Sequence, residues 1–177
     1  MTWQKSLRLL LSPRPDGRPP RLAIIGVGQS LRGDDGVGSA LARQLAGQLA
    51  DDALLIIDAG HAPENCLGPV VRFRPDVILF LDAARGGGAP GDILWLLPAE
   101  ADGRGGSTHA LSLEMLADYL TAETGAVVRV LGIEPSGLAF GEALSPAVVA
   151  AAAEAAATLV AYWRKPITVA SAMASGD

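Results

Sequence analysis

Residues 22–38 read LAIIGVGQSLRGDDGVG, and this stretch decides the fold. Its apolar start, Leu22–Val27, predicts a buried strand, and the glycines that follow allow a sharp turn. Asp34 and Asp35 stand where the next helix should begin. A strand, a glycine turn and a helix in this order predict an α/β sheet, which binds its ligands at the carboxyl ends of its strands. Acidic residues at that edge favour a metal ion or another cation over a phosphate.

The same glycines also begin the dinucleotide-binding pattern G-x-G-x-x-G, with Gly26 and Gly28 in the first two places. The third glycine is absent, because position 31 is a leucine. Asp34 and Asp35 would also repel a phosphate from the N-terminus of the next helix. Nucleotide binding is therefore disfavoured. A helix cap needs only one of these aspartates, which leaves the other for a different role.

The composition indicates one folded domain in a reducing compartment. The chain has 177 residues, half of them apolar, which suffices for one core. A net charge of −5 argues against a general nucleic-acid-binding protein. Cys66 is the only cysteine, so an intrachain disulfide and a thiolate-rich zinc site are excluded. The three leucines at 9–11 are too few for a signal peptide, and no apolar run reaches the ~18 residues that cross a bilayer. We therefore expect a cytoplasmic monomer that binds no membrane.

Strand-like and helix-like segments alternate along the chain. The strand-like runs are short, rich in branched residues and bounded by Gly, Pro or Asp. Besides Leu22–Val27 they cover 53–58, 77–81, 93–97 and Val127–Ile133. Helical patterns cover 36–49, 111–124 and Pro146–Arg164, the last with Ser145 as its N-cap. The expected fold is a single α/β domain, with a mostly parallel twisted sheet of about five strands and helices on both faces.

Two further expectations concern the connections and the chain ends. The short link 83–92 between the third and fourth strands fits a hairpin, so one antiparallel pair is expected. Residues 1–20 are expected to form a weakly ordered N-terminal arm, 21–165 the α/β domain, and 166–177 a flexible C-terminal tail.

Polar side chains follow several of the predicted strands. Asp34 and Asp35 follow the first strand, Asp58 and His61 end the second, and Asp82 ends the third. His109 precedes a predicted helix. If the sheet is mainly parallel, several of these residues converge on one edge. Two carboxylates and one imidazole would suit a borderline divalent ion such as nickel or zinc.

Nucleophilic hydrolysis has weaker support. Cys66 lies near His61 in the sequence, yet a lone cysteine in such a turn is more often a small buried hydrophobic residue. A serine elbow of the G-x-S-x-G type is absent.

Six segments together resemble one family. They are GVGQSLRGDDGVG, DAGHAPEN, LFLDA, APGDI, STHALSLEML and LGIEPSGLAFGEALSPAV. In this order and spacing they resemble the hydrogenase maturation proteases, which trim the C-terminal tail of nickel-iron hydrogenase large subunits. Within that family, the APEN, STH and LGIEP segments most resemble the branch that serves hydrogenase 3 of the formate hydrogenlyase type. The resemblance runs from about Leu22 to Trp163.

The resemblance implies a site and a substrate. It places the metal-recognition and active site of an aspartyl endopeptidase on Asp35, Asp82 and His109, and Asp34 is expected to cap or orient the helix near Gly36. It also implies that the nickel is carried by the hydrogenase large-subunit precursor, and that the free enzyme holds no tightly bound metal. A non-catalytic metallochaperone or docking module for the same precursor is the alternative.

The chain departs from the family pattern at two positions. Gln29 stands where the family usually has Asn, and this longer amide could reposition the loop. His61 stands where a small or hydroxyl residue is expected, and it could add a second imidazole near the site. Neither departure removes one of the three residues of the implied site.

Overall fold

The computed structural model describes residues 2–102 and 111–164. Five strands form one sheet in the order β2-β1-β3-β5-β4, and each lies where the sequence predicted a strand. The fold class is confirmed as a single α/β domain with a mostly parallel sheet. The strands are β1 (Leu22–Val27), β2 (Leu54–Gly60), β3 (Val77–Ala83), β4 (Ile93–Leu96) and β5 (Val127–Ile133).

The central strands are apolar on both faces because helices cover both faces. Every residue of β1 is buried. Leu22 and Ile24 point into one core cluster, whereas Ala23 and Ile25 point into the other. Since side chains alternate along a strand, a continuous apolar run is what a doubly covered strand requires.

Six helices flank the sheet in the described part of the chain. One face is covered by α1, α2 and α6, whose leucines and alanines join the first cluster. The other face is covered by α3, α5 and the short α4. The helices are α1 (Trp3–Leu10), α2 (Val37–Ala46), α3 (Leu67–Phe73), α4 (Pro98–Asp102), α5 (Leu113–Thr124) and α6 (Pro146–Arg164).

The antiparallel pair is confirmed, but its partner is not the one expected. Strand β4 pairs with β5, with Ile93 opposite Ile133, so the expected hairpin between β3 and β4 is wrong. Strand β5 lies between them and pairs in parallel with β3. Most of β5 is buried, whereas β4 is only half-buried. The longer strand therefore takes the inner place and the shorter one takes the edge.

The N-terminal segment was expected to be weakly ordered, and this was wrong for its first part. Helix α1 buries Leu7 fully and packs Leu11, just after it, into the first cluster. Trp3, Leu7, Leu10 and Leu11 share one face at helical spacing, an amphipathic signal that the prolines after it obscured. The expected C-terminal tail lies outside the described residues.

In the described part of the chain, α6 alone is long and apolar enough to cross a membrane, with a mean hydropathy of 1.4. It begins at Pro146 as expected, and the carbonyl of Ser145 accepts the N–H of Val149 at 2.9 Å. Its inner face, which includes Ala155 and Leu159, is buried against the sheet. These residues are therefore part of the core of the domain.

Candidate active site

The carboxyl ends of β1, β3 and β5 meet at one edge of the sheet. Gly26 of β1 lies opposite Leu81 of β3, and Asp82 lies opposite Gly132 of β5. The chain leaves β1 for the outer strand β2 and then crosses to β3 on the other side of β1. A crevice at this change of direction is where open α/β sheets bind ligands.

Close packing at Gly38 brings two acidic segments together. A Cβ at Gly38 would overlap the carbonyl oxygens of Leu81 and Val27, so only glycine lets α2 approach both strand ends. The turn Gly33–Gly36, which precedes α2, therefore contacts β3. This turn carries Asp35, and Asp82 follows Leu81 directly. The structure thus places the segments of the two predicted site aspartates side by side.

Asp35 is held by the glycine turn after β1. Its side chain is only 6% exposed, and Oδ2 accepts the main-chain N–H of Gln29 at 2.9 Å. Gly28 has φ +132°, and a Cβ there would overlap the carbonyl oxygen of Asp35. Because Gln29 contributes its main chain, the unusual side chain at this position does not alter that bond. Among residues 2–102 and 111–164, the hydrogen bond recorded for the Asp35 carboxylate is this one, to Oδ2.

Of the two roles expected of Asp34, capping of α2 is not observed. Asp34 is 1% exposed, and neither it nor Asp35 caps α2 through its side chain. Its carboxylate instead accepts hydrogen bonds from the loop between β5 and α6. The donors are the main-chain N–H groups of Ser136 (2.8 Å), Gly137 (3.2 Å) and Ser145 (2.6 Å), and the hydroxyl of Ser145 (2.9 Å).

Those four bonds keep Asp34 ionised. Burial raises the pKa of Asp34, but the hydrogen bonds from Ser145, Ser136 and Gly137 outweigh burial, so its pKa lies below the ordinary value. A carboxylate with both oxygens engaged in this way is a structural anchor. The expectation that Asp34 lies outside the metal-binding group remains a prediction, whereas the expected capping of α2 is wrong.

Asp82 is the penultimate residue of β3, at the carboxyl edge of the sheet. Its side chain is partly buried, and Oδ1 accepts the N–H of Ala83 at 2.8 Å. Asp82 also has an interaction partner. Its carboxylate is therefore oriented by the main chain of its own strand end.

Glu134 is a buried acidic residue that the sequence reasoning missed. It directly follows β5 and is 5% exposed. Its Oε2 atom accepts the N–H groups of Gly86, Gly87 (3.0 Å) and Gly88 (3.4 Å), in the loop after β3. The available signal was its place after a buried strand, because the same reasoning had already singled out Asp82.

Asp58 lies in β2, and His61 directly follows this strand. Asp58 forms an ion pair with Arg43 of α2. Burial raises the pKa of Asp58, but hydrogen bonds from Ser39 and Arg43 outweigh this effect and lower it. His61 is exposed in the following turn and has an interaction partner. Glu64 follows in the helical turn Pro63–Cys66. Its Oε2 atom is buried and has no hydrogen-bond partner among the described residues.

Cys66 is a buried structural thiol. It is 5% exposed, and its Sγ donates to the carbonyl of Pro63 at 2.8 Å. Burial raises the pKa of Cys66 to about 11, so the thiol is protonated at neutral pH. The structure therefore supports the interpretation of Cys66 as a small buried residue and gives no support to a nucleophilic dyad with His61.

His109 lies outside the described residues, so its position relative to Asp35 and Asp82 stays a prediction. Among residues 2–102 and 111–164, no three His, Cys, Asp or Glu side chains form a group that could hold a metal ion. Metal binding by Asp35 and Asp82 stays a prediction.

Comparisons with known proteins identify the family of this chain. Residues 39–162 match the family described as hydrogenase maturation protease. The chain is 36% identical over 118 residues to hydrogenase 3 maturation protease of Escherichia coli K12, covering 66% of this chain and 74% of that protein.

Solved structures show the same fold. A [NiFe] hydrogenase maturation protease from Thermococcus kodakarensis KOD1 superposes with a TM-score of 0.81 at 28% identity, over 90% of this chain and 99% of that one. An Escherichia coli endopeptidase superposes with a TM-score of 0.69 at 30% identity, over 82% of this chain and 92% of that one. The family match covers Asp82 and His109 but begins four residues after Asp35.

Proposed function

The chain belongs to the hydrogenase maturation protease family, and we propose that it is an endopeptidase that removes the C-terminal extension of a nickel-loaded hydrogenase large-subunit precursor. The structural observation that carries this proposal is the contact between the turn of Asp35 and the end of β3, beside Asp82. Two carboxylates at the carboxyl edge of a sheet suit both water activation and metal recognition.

We assign Asp35, Asp82 and His109 as the residues that recognise the metal and act in catalysis. Oxygen and nitrogen donors on separate segments bind a free divalent ion weakly compared with a preformed thiolate site. The one thiol of the chain is buried and hydrogen-bonded to Pro63, so it does not join this set. Nickel is accordingly part of the substrate: the precursor carries the ion with its own ligands, and this protein adds the remaining donors.

The chemistry is hydrolysis of one peptide bond. A carboxylate at the crevice takes a proton from water while the water oxygen bonds to the scissile carbonyl carbon. When the C–N bond breaks, that proton goes to the departing nitrogen. The products are a shortened subunit with a new carboxylate end and a released peptide with a new amino end. No covalent enzyme intermediate is required, which agrees with the protonated state of Cys66.

The proposal includes a cellular setting. A single buried thiol that forms no disulfide suits a reducing compartment, and we propose a cytoplasmic monomer whose protein partner is the precursor.

The deciding experiment is incubation of the purified protein with two preparations of precursor, one loaded with nickel and one without. We expect the loaded precursor alone to be shortened, as seen by gel mobility and by the mass of the released peptide. Binding of the loaded precursor without cleavage would favour the non-catalytic metallochaperone or docking role. Equal cleavage of both preparations would contradict the role of nickel and leave the peptidase assignment in place.

A further inference from the structure

The segment that follows β5, residues 134–137, touches both acidic loops of the candidate site. Through the side chain of Glu134 it holds the loop after β3, which begins just beyond Asp82. Through the N–H groups of Ser136 and Gly137 it holds Asp34, the neighbour of Asp35. We call these four residues the β5 brace. The brace joins two loops that are otherwise far apart in the sequence.

Glu134 attaches the loop after β3 with its main chain as well as its side chain. Its N–H donates to the carbonyl of Asp92 at 2.9 Å, and its carbonyl accepts the N–H of Gly91 at 2.8 Å. Three consecutive glycine N–H groups converge on Oε2. Successive N–H groups arranged in this way form an anion-binding concavity, and here the chain supplies its own anion. Oε2 of Glu134 is therefore committed to holding this loop.

The other end of the brace acts on Asp35. Gly137 accepts the N–H of Asp34 at 3.0 Å through its carbonyl and donates its own N–H to the Asp34 carboxylate. The turn Gly33–Gly36 is therefore attached to the brace by main chain and side chain together. Any shift of the brace would move the turn that carries Asp35, and would also move the loop that follows Asp82.

We propose that Glu134 is a positioning residue: by anchoring the loop after β3 to the brace, it sets the relative placement of Asp35 and Asp82. This inference rests on the proposed peptidase function for its effect on catalysis, but its geometric part is independent of that function. Asp35 and Asp82 react with substrate, whereas Glu134 acts through them.

Variants of Glu134 that differ in length or in charge distinguish a positioning role from a purely electrostatic one. Glu134→Gln keeps an oxygen at the position of Oε2 and removes the charge. Glu134→Asp keeps the charge and is one methylene too short to meet the glycine N–H groups. A positioning role therefore predicts that Glu134→Gln keeps its activity and Glu134→Asp loses it. An effect of charge alone predicts the reverse.

The experiment compares Glu134→Gln, Glu134→Asp and Glu134→Ala with a matched control, Glu100→Ala. Glu100 also accepts a main-chain N–H, from Leu97 at 2.7 Å, but it lies beyond the opposite end of β4. We expect the Asp and Ala variants to lose at least about tenfold in kcat on loaded precursor, with KM changed less than about threefold. The Gln and Glu100→Ala variants should stay within about threefold of wild type.

A second measurement does not depend on activity. The amide resonances of Gln29 and Ala83 report the two carboxylates, because these N–H groups donate to Asp35 and Asp82. Both should shift in Glu134→Asp and in Glu134→Ala, and neither should shift in Glu100→Ala. Unchanged amide resonances in the Asp variant, or wild-type kcat there, would overturn the positioning role. A wild-type protein that leaves the loaded precursor uncut would refute the proposed function, and the amide shifts would still decide the role of Glu134.

Discussion

Asp34 accepts two hydrogen bonds from Ser145, one from its N–H at 2.6 Å and one from its hydroxyl at 2.9 Å. Ser145 directly precedes α6, and 111 positions separate the two residues. The turn beside the first strand is thereby joined to the beginning of the last helix. A carboxylate next to Asp35 could be mistaken for a metal ligand, yet its hydrogen bonds show a structural role.

Replacing Asp34 should destabilise the fold. Asp34→Ala leaves the N–H groups of Ser136, Gly137 and Ser145 without their acceptor in a buried place, and we expect a loss of about 3–5 kcal/mol in the free energy of unfolding. Urea unfolding monitored by circular dichroism measures the loss. Asp51→Ala is the control, since its carboxylate accepts one N–H at an exposed turn. A loss below about 1 kcal/mol in Asp34→Ala would contradict the anchoring role.

The stability should fall in acid because of Asp34. Its pKa in the folded protein lies below the ordinary value of 3.8, so the folded state favours the ionised form. The stabilisation is then fully present above that ordinary pKa and is lost as the pH falls through the lower folded pKa. Unfolding free energies measured between pH 6 and pH 3, at about half-unit steps, should decline at the acid end of this range. Asp34→Asn, which cannot ionise, should decline less steeply, and parallel curves would contradict this explanation.

Substitutions at the proposed site should abolish processing without unfolding the protein. Asp82→Asn and His109→Ala should each lower cleavage of loaded precursor by at least about 100-fold, because a general base or metal donor is lost. Asp35→Glu keeps the carboxylate and changes only its reach, so its effect should be milder. Thermal unfolding of each variant checks the fold, and Asp51→Asn serves as an exposed control. Full activity of Asp82→Asn would remove that residue from the site.

Cys66 should be dispensable for catalysis. Its pKa of about 11 keeps the thiol protonated at neutral pH, and its Sγ is buried against Pro63. Cys66→Ala should retain at least about half of the activity. Its free energy of unfolding should fall by about 1 kcal/mol, because a small buried side chain is truncated. Native protein should also react slowly with iodoacetamide at neutral pH, as measured by mass spectrometry. Complete loss of activity in Cys66→Ala would revive a thiol mechanism.

Removal of metal should stop cleavage only when the metal is removed from the precursor. Dialysis of the enzyme against a chelator should leave cleavage of loaded precursor unchanged, because dispersed carboxylate and imidazole donors retain a divalent ion poorly. Omitting nickel during preparation of the precursor should stop cleavage. Metal analysis of both proteins before mixing checks the premise. Restoration of a chelator-treated enzyme by zinc would instead identify a zinc peptidase.

Local signals in the sequence determined the strands and three of the six described helices, α2, α5 and α6, whereas α1, α3 and α4 were not predicted. The five apolar runs are short and rich in branched residues, and both properties belong to neighbouring positions in the chain. Helix α6 was predicted to begin at Pro146 for the same reason, because its start signal occupies adjacent residues. Helix α1 was missed where a proline-rich stretch after it outweighed the spacing of its leucines. Asp35 and Asp82 were among several polar residues near predicted strand ends, and only the family resemblance singled them out.

Only the tertiary structure decided which strand lies beside β4 and what the buried carboxylates bind. The strand that buries more apolar surface takes the inner place in the sheet. Its identity depends on how β3, β4 and β5 pack together, which no single segment of the sequence shows. Asp34 and Glu134 resemble any acidic turn residue in the sequence, because their partners lie 102–111 and 46–48 positions away. A hydrogen bond at such a separation exists only after the chain has folded, since its geometry depends on every element packed between the two partners.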